Sequence, residues 1–187
     1  AYDYNASLAT MSLSYAMSAF NSSKGGSDYT NKSVNAKELL ANIGVPEENI
    51  ETNEWFTVKP STDSIGVIAG NKEITVNNEK YTLIAVAVRG GGYEQEWTSN
   101  FTIGKTGQHE GFDEAKNNVI SFLDEYIQSQ NISGKVKFWI TGYSRGAATA
   151  NLVSGAIDDG VFQGGALEYS NADVYSYCFE TPAGALT

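Results

Sequence analysis

The sequence predicts an α/β protein, a mostly parallel central sheet flanked by helices. Three observations carry that expectation. Residues 81–88 are close to continuously apolar, as in a strand buried on both faces. From 111 to 130, Phe112, Ala115, Val119, Phe122, Leu123, Tyr126 and Ile127 recur at helical spacing with acidic and amide residues between them, which specifies an amphipathic helix. "GKVKFWIT", "SRGAATANLVSGAID" and "ADVYSYCFET" then read as strand, helix and strand. The order strand, helix, strand, helix, strand is that of parallel strands joined by right-handed crossovers.

The upstream elements follow from local signals. "AYDYNASLATMSLSYAMSAF" puts Leu8, Met11, Leu13, Tyr15, Ala16 and Phe20 near helical spacing, and "NSSKGGSDYTN" stops it. "NAKELLANIG" predicts a second helix with Asn35 as its cap, Leu39, Leu40 and Ile43 as its apolar stripe and Gly44 as its terminator. Both are read as cover helices, within about residues 1–44. "SIGVIAG", "KEITVN" and "KYTLIAVAVRG" read as strands joined by turns at Gly70-Asn71 and Asn77-Asn78. With no repeat, low-complexity tract or linker, the 187 residues read as one domain.

A net charge of -10 argues against nucleic acid or an anionic membrane as the main partner, because both are polyanions. No apolar run approaches the ~20 residues of a membrane span. The start lacks a basic region and a long apolar core, so it does not read as an intact signal peptide, although a leader removed earlier would leave no trace. A single cysteine, Cys178, excludes an internal disulfide and a cysteine-built metal site, and within "VYSYCF" it reads as a buried structural thiol. No cofactor or metal is expected. Loops rich in Asn, Ser and Tyr, with scarce cysteine, lean toward an extracytoplasmic or secreted bacterial protein.

The chemistry centres on "FWITGYSRGAATANLV". A Gly-x-Ser-x-Gly pentapeptide gains force when its serine sits in a sharp turn between a buried strand and a helix, a geometry that lifts the hydroxyl above the sheet edge. Ser144 is so placed by the pattern, as a candidate nucleophile. Gly142 and Gly146 would then keep side chains out of a tight elbow. The bland alternative is a helix-capping serine in a glycine-rich turn. A nucleophile also needs an oxyanion hole. One donor would be the amide of Arg145, and "RGGG", leaving the strand at 81–88, is a candidate for the second.

"AVAVRG-G", "EWTSNF", "HEGF", an amphipathic helix, "FWITGYSRGAATANLV" and "VYSYCFETPAG" fall in one order over about residues 65–184. This order resembles the class 3, fungal-type lipase family and its bacterial relatives. The resemblance implies an α/β-hydrolase fold, incomplete at its C-terminus here, and a lipase or esterase acting on a small acyl ester or lipid. It places Gly91 where that family has its oxyanion Thr or Ser, keeping the backbone donor and losing a hydroxyl. Tyr143 and Arg145 replace the usual His and Leu of the elbow, and Asn100 replaces the Asp of the tryptophan motif. These departures bear on a long-chain triglyceride substrate more than on acyl transfer itself.

The implied triad order is Ser, Asp, His. The only histidine, His109, precedes Ser144 and matches a non-catalytic position, so it reads as structural or supporting the site from behind. Asp158, Asp159 and Asp173 sit at the wrong ends of their elements for a triad acid and read as solvated loop carboxylates. The Asp and His are therefore expected beyond residue 187, in a C-terminal remainder of the same protein. A sheet without that remainder would expose an edge prone to pairing or aggregation. "EYSNADVYSY" and "YEQEWTSNFTIGKTGQ" are candidates for the mouth of a pocket. Beside ester hydrolysis stand two alternatives: acyl transfer or amide hydrolysis at the same site, and a lipase-like binding module without catalysis.

Overall fold

The computed structural model describes residues 6–19, 30–57, 65–89, 107–143 and 145–179, with the backbone alone at 30–35, 107–112 and 145. Asn77 and Asn78, both at positive φ (51° and 65°), turn β2 (Gly66–Val76) back into β3 (Glu79–Arg89). Positive φ at both central residues is what a two-residue hairpin following the strand twist requires. The short β1 (Glu51–Thr52) adds to β2, also antiparallel. From β3 onward the sheet is parallel: β4 (Gly134–Tyr143) lies beside β3, and β6 (Val174–Phe179) beside β4. β5 (Leu167–Glu168) pairs with the first residues of β4. Among the described residues no strand pairs with the far edge of β6.

Among the described residues, four helices cover this mixed sheet. α3 (Gly107–Ser129) and α4 (Arg145–Asp158) occupy the crossovers, and their Val119, Leu123, Ala150, Val153 and Ile157 pack on Val67, Ala69, Ile84, Val86, Phe138 and Ile140. On the opposite face α1 (Ala6–Ala19) and α2 (Thr30–Asn42) set Tyr15, Ala19, Ala36 and Leu40 against Ile68, Ala85, Ala87 and Trp139. β3 is thus buried on both faces from Ile84 to Val88, which explains its apolar run, while Tyr81 to Leu83 extend past the helices and are half-buried. No helix among the described residues is long and apolar enough to cross a membrane.

Two upstream expectations are corrected. α2 begins at Thr30, so Asn35 lies inside it rather than at its cap. Its end is as read: Gly44 (φ 92°) follows the helix, with Gly44 N–H donating to the Ala41 carbonyl and Val45 N–H to the Leu40 carbonyl, both at 3.0 Å. This is the glycine-terminated motif that satisfies the last carbonyls of a helix. Gly70-Asn71 is no turn, because β2 runs straight through it. A Cβ on Gly70 would lie 3.0 Å from Val45 Cγ1 and 3.1 Å from Leu40 Cδ1, so glycine there lets α2 approach the sheet.

Asn71 serves a buried network. Its Nδ2 donates to Tyr126 Oη (2.7 Å) and Gln130 Oε1 (3.1 Å), and its carbonyl accepts from Asn49 Nδ2 (3.1 Å). Tyr126 Oη donates to the Asn49 carbonyl at 2.6 Å, and burial pushes its phenol well above the usual tyrosine range, so the proton stays. Tyr126→Phe strands these partners and is expected to destabilise the protein by about 1–3 kcal/mol, seen as a lower urea midpoint at unchanged slope. An unmoved midpoint would show that the network adds nothing.

Candidate active site

β4 ends at Tyr143 and α4 begins at Arg145, so a single position, 144, separates a buried strand from a helix. The turn is tight. A Cβ on Gly142 would stand 2.4 Å from the Gly146 carbonyl oxygen, 2.6 Å from its carbon and 2.9 Å from the Ala147 nitrogen. The first turn of α4 therefore folds back over the last residues of β4, and only a hydrogen at Gly142 leaves room. The first amides of a helix have no acceptor within it, and their dipoles sum to a positive potential at its start. Here that start adjoins position 144, and the first turn of α4 holds no acidic residue to neutralise it.

The neighbouring strands end level with this turn. Val88 pairs with Gly142, and Gly142 with Cys178, so Arg89, Tyr143 and Phe179 end three adjacent parallel strands at one edge of the sheet. Arg89, 3% exposed, closes β3, and its Nη1 donates to the carbonyl of Phe56. Opposite it, a Cβ on Gly66 would stand 2.9 Å from the Phe56 Cα, so the 53–57 turn is pressed against the end of β3.

No protein-family model, curated protein or solved structure matches the chain. The lipase-like reading therefore rests on the motifs and on this strand-end geometry. Of the residues singled out from sequence, Gly142 and Gly146 meet at the elbow and Arg145 opens α4, its side chain lying outside the described residues. Ser144, Gly91, Asn100 and the segment "YEQEWTSNFTIGKT" lie outside them too. His109 is in the first turn of α3, with its side chain likewise outside. "EYSNADVYSY" is corrected as a pocket mouth, since its 3-10 turn, Asn171–Asp173, precedes β6 and so lies at the sheet edge opposite the elbow. Cys178 is half-buried rather than buried, on the outermost described strand.

Residues that sequence reasoning passed over tie the elbow's base to α1. Thr141 Oγ1, fully buried, lies 2.8 Å from the Tyr177 carbonyl of β6 and 3.1 Å from the Ser12 carbonyl of α1. Trp139 Nε1 donates to Ser12 Oγ at 2.7 Å, and Tyr15 Oη donates to the Ala85 carbonyl at 3.1 Å. A signal did exist: Trp139 and Thr141 share one face of a strand buried on both sides, and buried polar groups need partners.

At the opposite edge the carboxylates differ from their sequence reading. Asp173 is no solvated loop residue: its Oδ1 lies 2.6 Å from Lys137 Nζ, with the two side chains only 16% and 10% exposed. Burial pushes the Asp173 carboxyl up, but Lys137 and the Ser170 amide outweigh it and hold the group below the usual aspartate range. Burial likewise pushes Lys137 down, and Asp173 outweighs it to raise the ammonium. Asp158 has one buried oxygen without a partner, and burial, then Asp159, raises its carboxyl. Asp159 alone is exposed as expected.

The pair pins the start of β6 to β4, and its pH window follows from the two directions. A lowered aspartate stabilises above the ordinary carboxylate pKa near 4, and loses this as pH falls through its own lower value. A raised lysine stabilises below about pH 10 and loses this as pH rises through its own higher value. Asp173→Asn is therefore expected to lower stability by about 2 kcal/mol at pH 7. Melting curves should show that deficit shrinking once pH drops well below 4, and a deficit independent of pH would contradict the ion pair.

Proposed function

We propose that this chain carries the nucleophile of a serine ester hydrolase of the lipase or esterase kind, built on an α/β-hydrolase fold. The observation that supports it most is the level ending of β3, β4 and β6 around a one-residue strand-to-helix turn, with Gly142 seated against Gly146. That turn is where the pentapeptide puts Ser144, at the helix start that favours developing negative charge. The adjacent strand β3 ends at Arg89, one residue beyond the Val88–Gly142 pair and two before Gly91 in sequence.

In this reading Ser144 Oγ attacks the ester carbonyl carbon while a histidine takes its proton. The carbonyl oxygen becomes an oxyanion held by the amides of Gly91 and Arg145. Collapse breaks the bond to the alcohol, which leaves with the histidine's proton, and an acyl-serine remains. Water, deprotonated by the same histidine, then releases the acid. The histidine and the aspartate that orients it are the ones expected beyond residue 187. Arg145 follows Ser144 directly in sequence, and a cation at that position would suit a polar or anionic acyl group better than a long triglyceride chain.

The test is covalent labelling of the native full-length protein with a fluorophosphonate. A phosphonylated Ser144, with fluoride released and the adduct mapped to its peptide, is the expected result. A folded protein that takes no label at Ser144 would sink the reading and favour a binding module.

A further inference from the structure

We infer that Thr141 and Ser12 are positioning residues for Ser144, and that α1 is the brace that sets the height of the nucleophile above the sheet. The inference rests on the ester-hydrolase reading of Ser144. It starts from what fixes the last residues of β4 in each direction. Within the sheet, ladders to β3 on one side and β6 on the other hold them laterally. A ladder restrains a strand weakly along the normal to the sheet, so displacement toward either helical layer has to be blocked by contacts above and below. On the α4 face the block is steric, since the Gly146 backbone rests on Gly142. On the α1 face it is polar. Ser12 Oγ receives Trp139 Nε1–H at 2.7 Å, and the Ser12 carbonyl lies 3.1 Å from Thr141 Oγ1.

The arrangement is specific to one helix position. Thr10 and Ser14, on the exposed side of α1, spend their hydroxyls on carbonyls of their own helix, at 2.9 and 3.1 Å. Ser12, fully buried between them, meets the two side chains of β4 that share its face, from both its hydroxyl and its carbonyl. Thr141 carries one hydroxyl hydrogen and directs it between α1 and the Tyr177 carbonyl of β6, so a single group three residues before Ser144 joins three elements. Acyl transfer is sensitive to such placement, because an error of ~1 Å at the reacting atoms lowers rates by about 100-fold.

The experiment compares second-order rates of fluorophosphonate labelling at Ser144 in the native full-length protein. Thr141→Val keeps the shape and removes the donor, and Ser12→Ala removes the acceptor for Trp139. Each is expected to slow labelling by about tenfold and to lower kcat for a short ester with KM unchanged. Thr141→Ser should restore the rate. Val136→Ala, a core change at the end of β4 opposite the elbow, serves as the control with a comparable loss of melting temperature, and should label at the wild-type rate. Equal rates for wild type and a folded Thr141→Val overturn this inference and leave the hydrolase reading standing. A folded wild type that does not label overturns both.

Discussion

Ser144→Ala is expected to lower ester hydrolysis by the native full-length protein by at least about four orders of magnitude, with melting temperature within a degree or two of wild type. The size follows from the role. On the proposed reading, without Oγ no acyl-enzyme forms, and what would remain is water attacking an ester held by the proposed oxyanion donors. The loss should fall on kcat, because the hydroxyl contributes little to ground-state binding. Position 144 lies between a buried strand and a helix, and alanine removes one oxygen without adding bulk, so no packing change competes with the chemical one. A variant that keeps wild-type turnover would end the assignment of Ser144.

Among alanine substitutions of the described glycines, Gly142→Ala should produce the largest loss of stability. The new carbon would sit 2.4 Å from the Gly146 oxygen, far inside contact distance, and all three of its nearest atoms are backbone. No side chain can swing away, so either β4 leaves its ladder or α4 lifts from the sheet. Overpacking of this kind costs about 3 kcal/mol or more, a fall in melting temperature of about 6–12 °C for a chain of this size. Gly155 supplies the control on the same helix. A Cβ there meets nothing within 4 Å, so Gly155→Ala should be neutral or stabilise by up to about 1 kcal/mol. Equal melting temperatures for both variants would contradict the tight elbow.

Much of the fold was legible wherever the determining signal was local. The 3.6-residue recurrence of Val119, Leu123 and Tyr126 and the doubly buried run ending at Val88 depend on neighbours in sequence, and both elements stand where they were read. Asn77-Asn78 and Gly70-Asn71 look alike as dipeptides, yet only the first is a turn. The second owes its residues to α2 and Tyr126, which contact it from 30 and 55 positions away. The same holds for the carboxylates: Asp173 reads as a loop residue until β6 is laid beside Lys137. At the candidate site, the close approach of Gly142 and Gly146 was legible because both belong to one five-residue motif. Ser12 was not, since its importance comes from Trp139 and Thr141.

Those hydrogen bonds span 127 and 129 positions, and this has a consequence for how the chain acquires its shape. α1 precedes β4 by more than 100 residues, and at ~5–20 residues per second it waits on the order of ten seconds before β4 exists to receive it. Its sequence, ASLATMSLSYAMSA, carries no charge to keep it apart from other nascent chains in the interval. A helix made well before its partner strand thus completes its docking only once β4 is present, and closure of α1 is a late event in biogenesis.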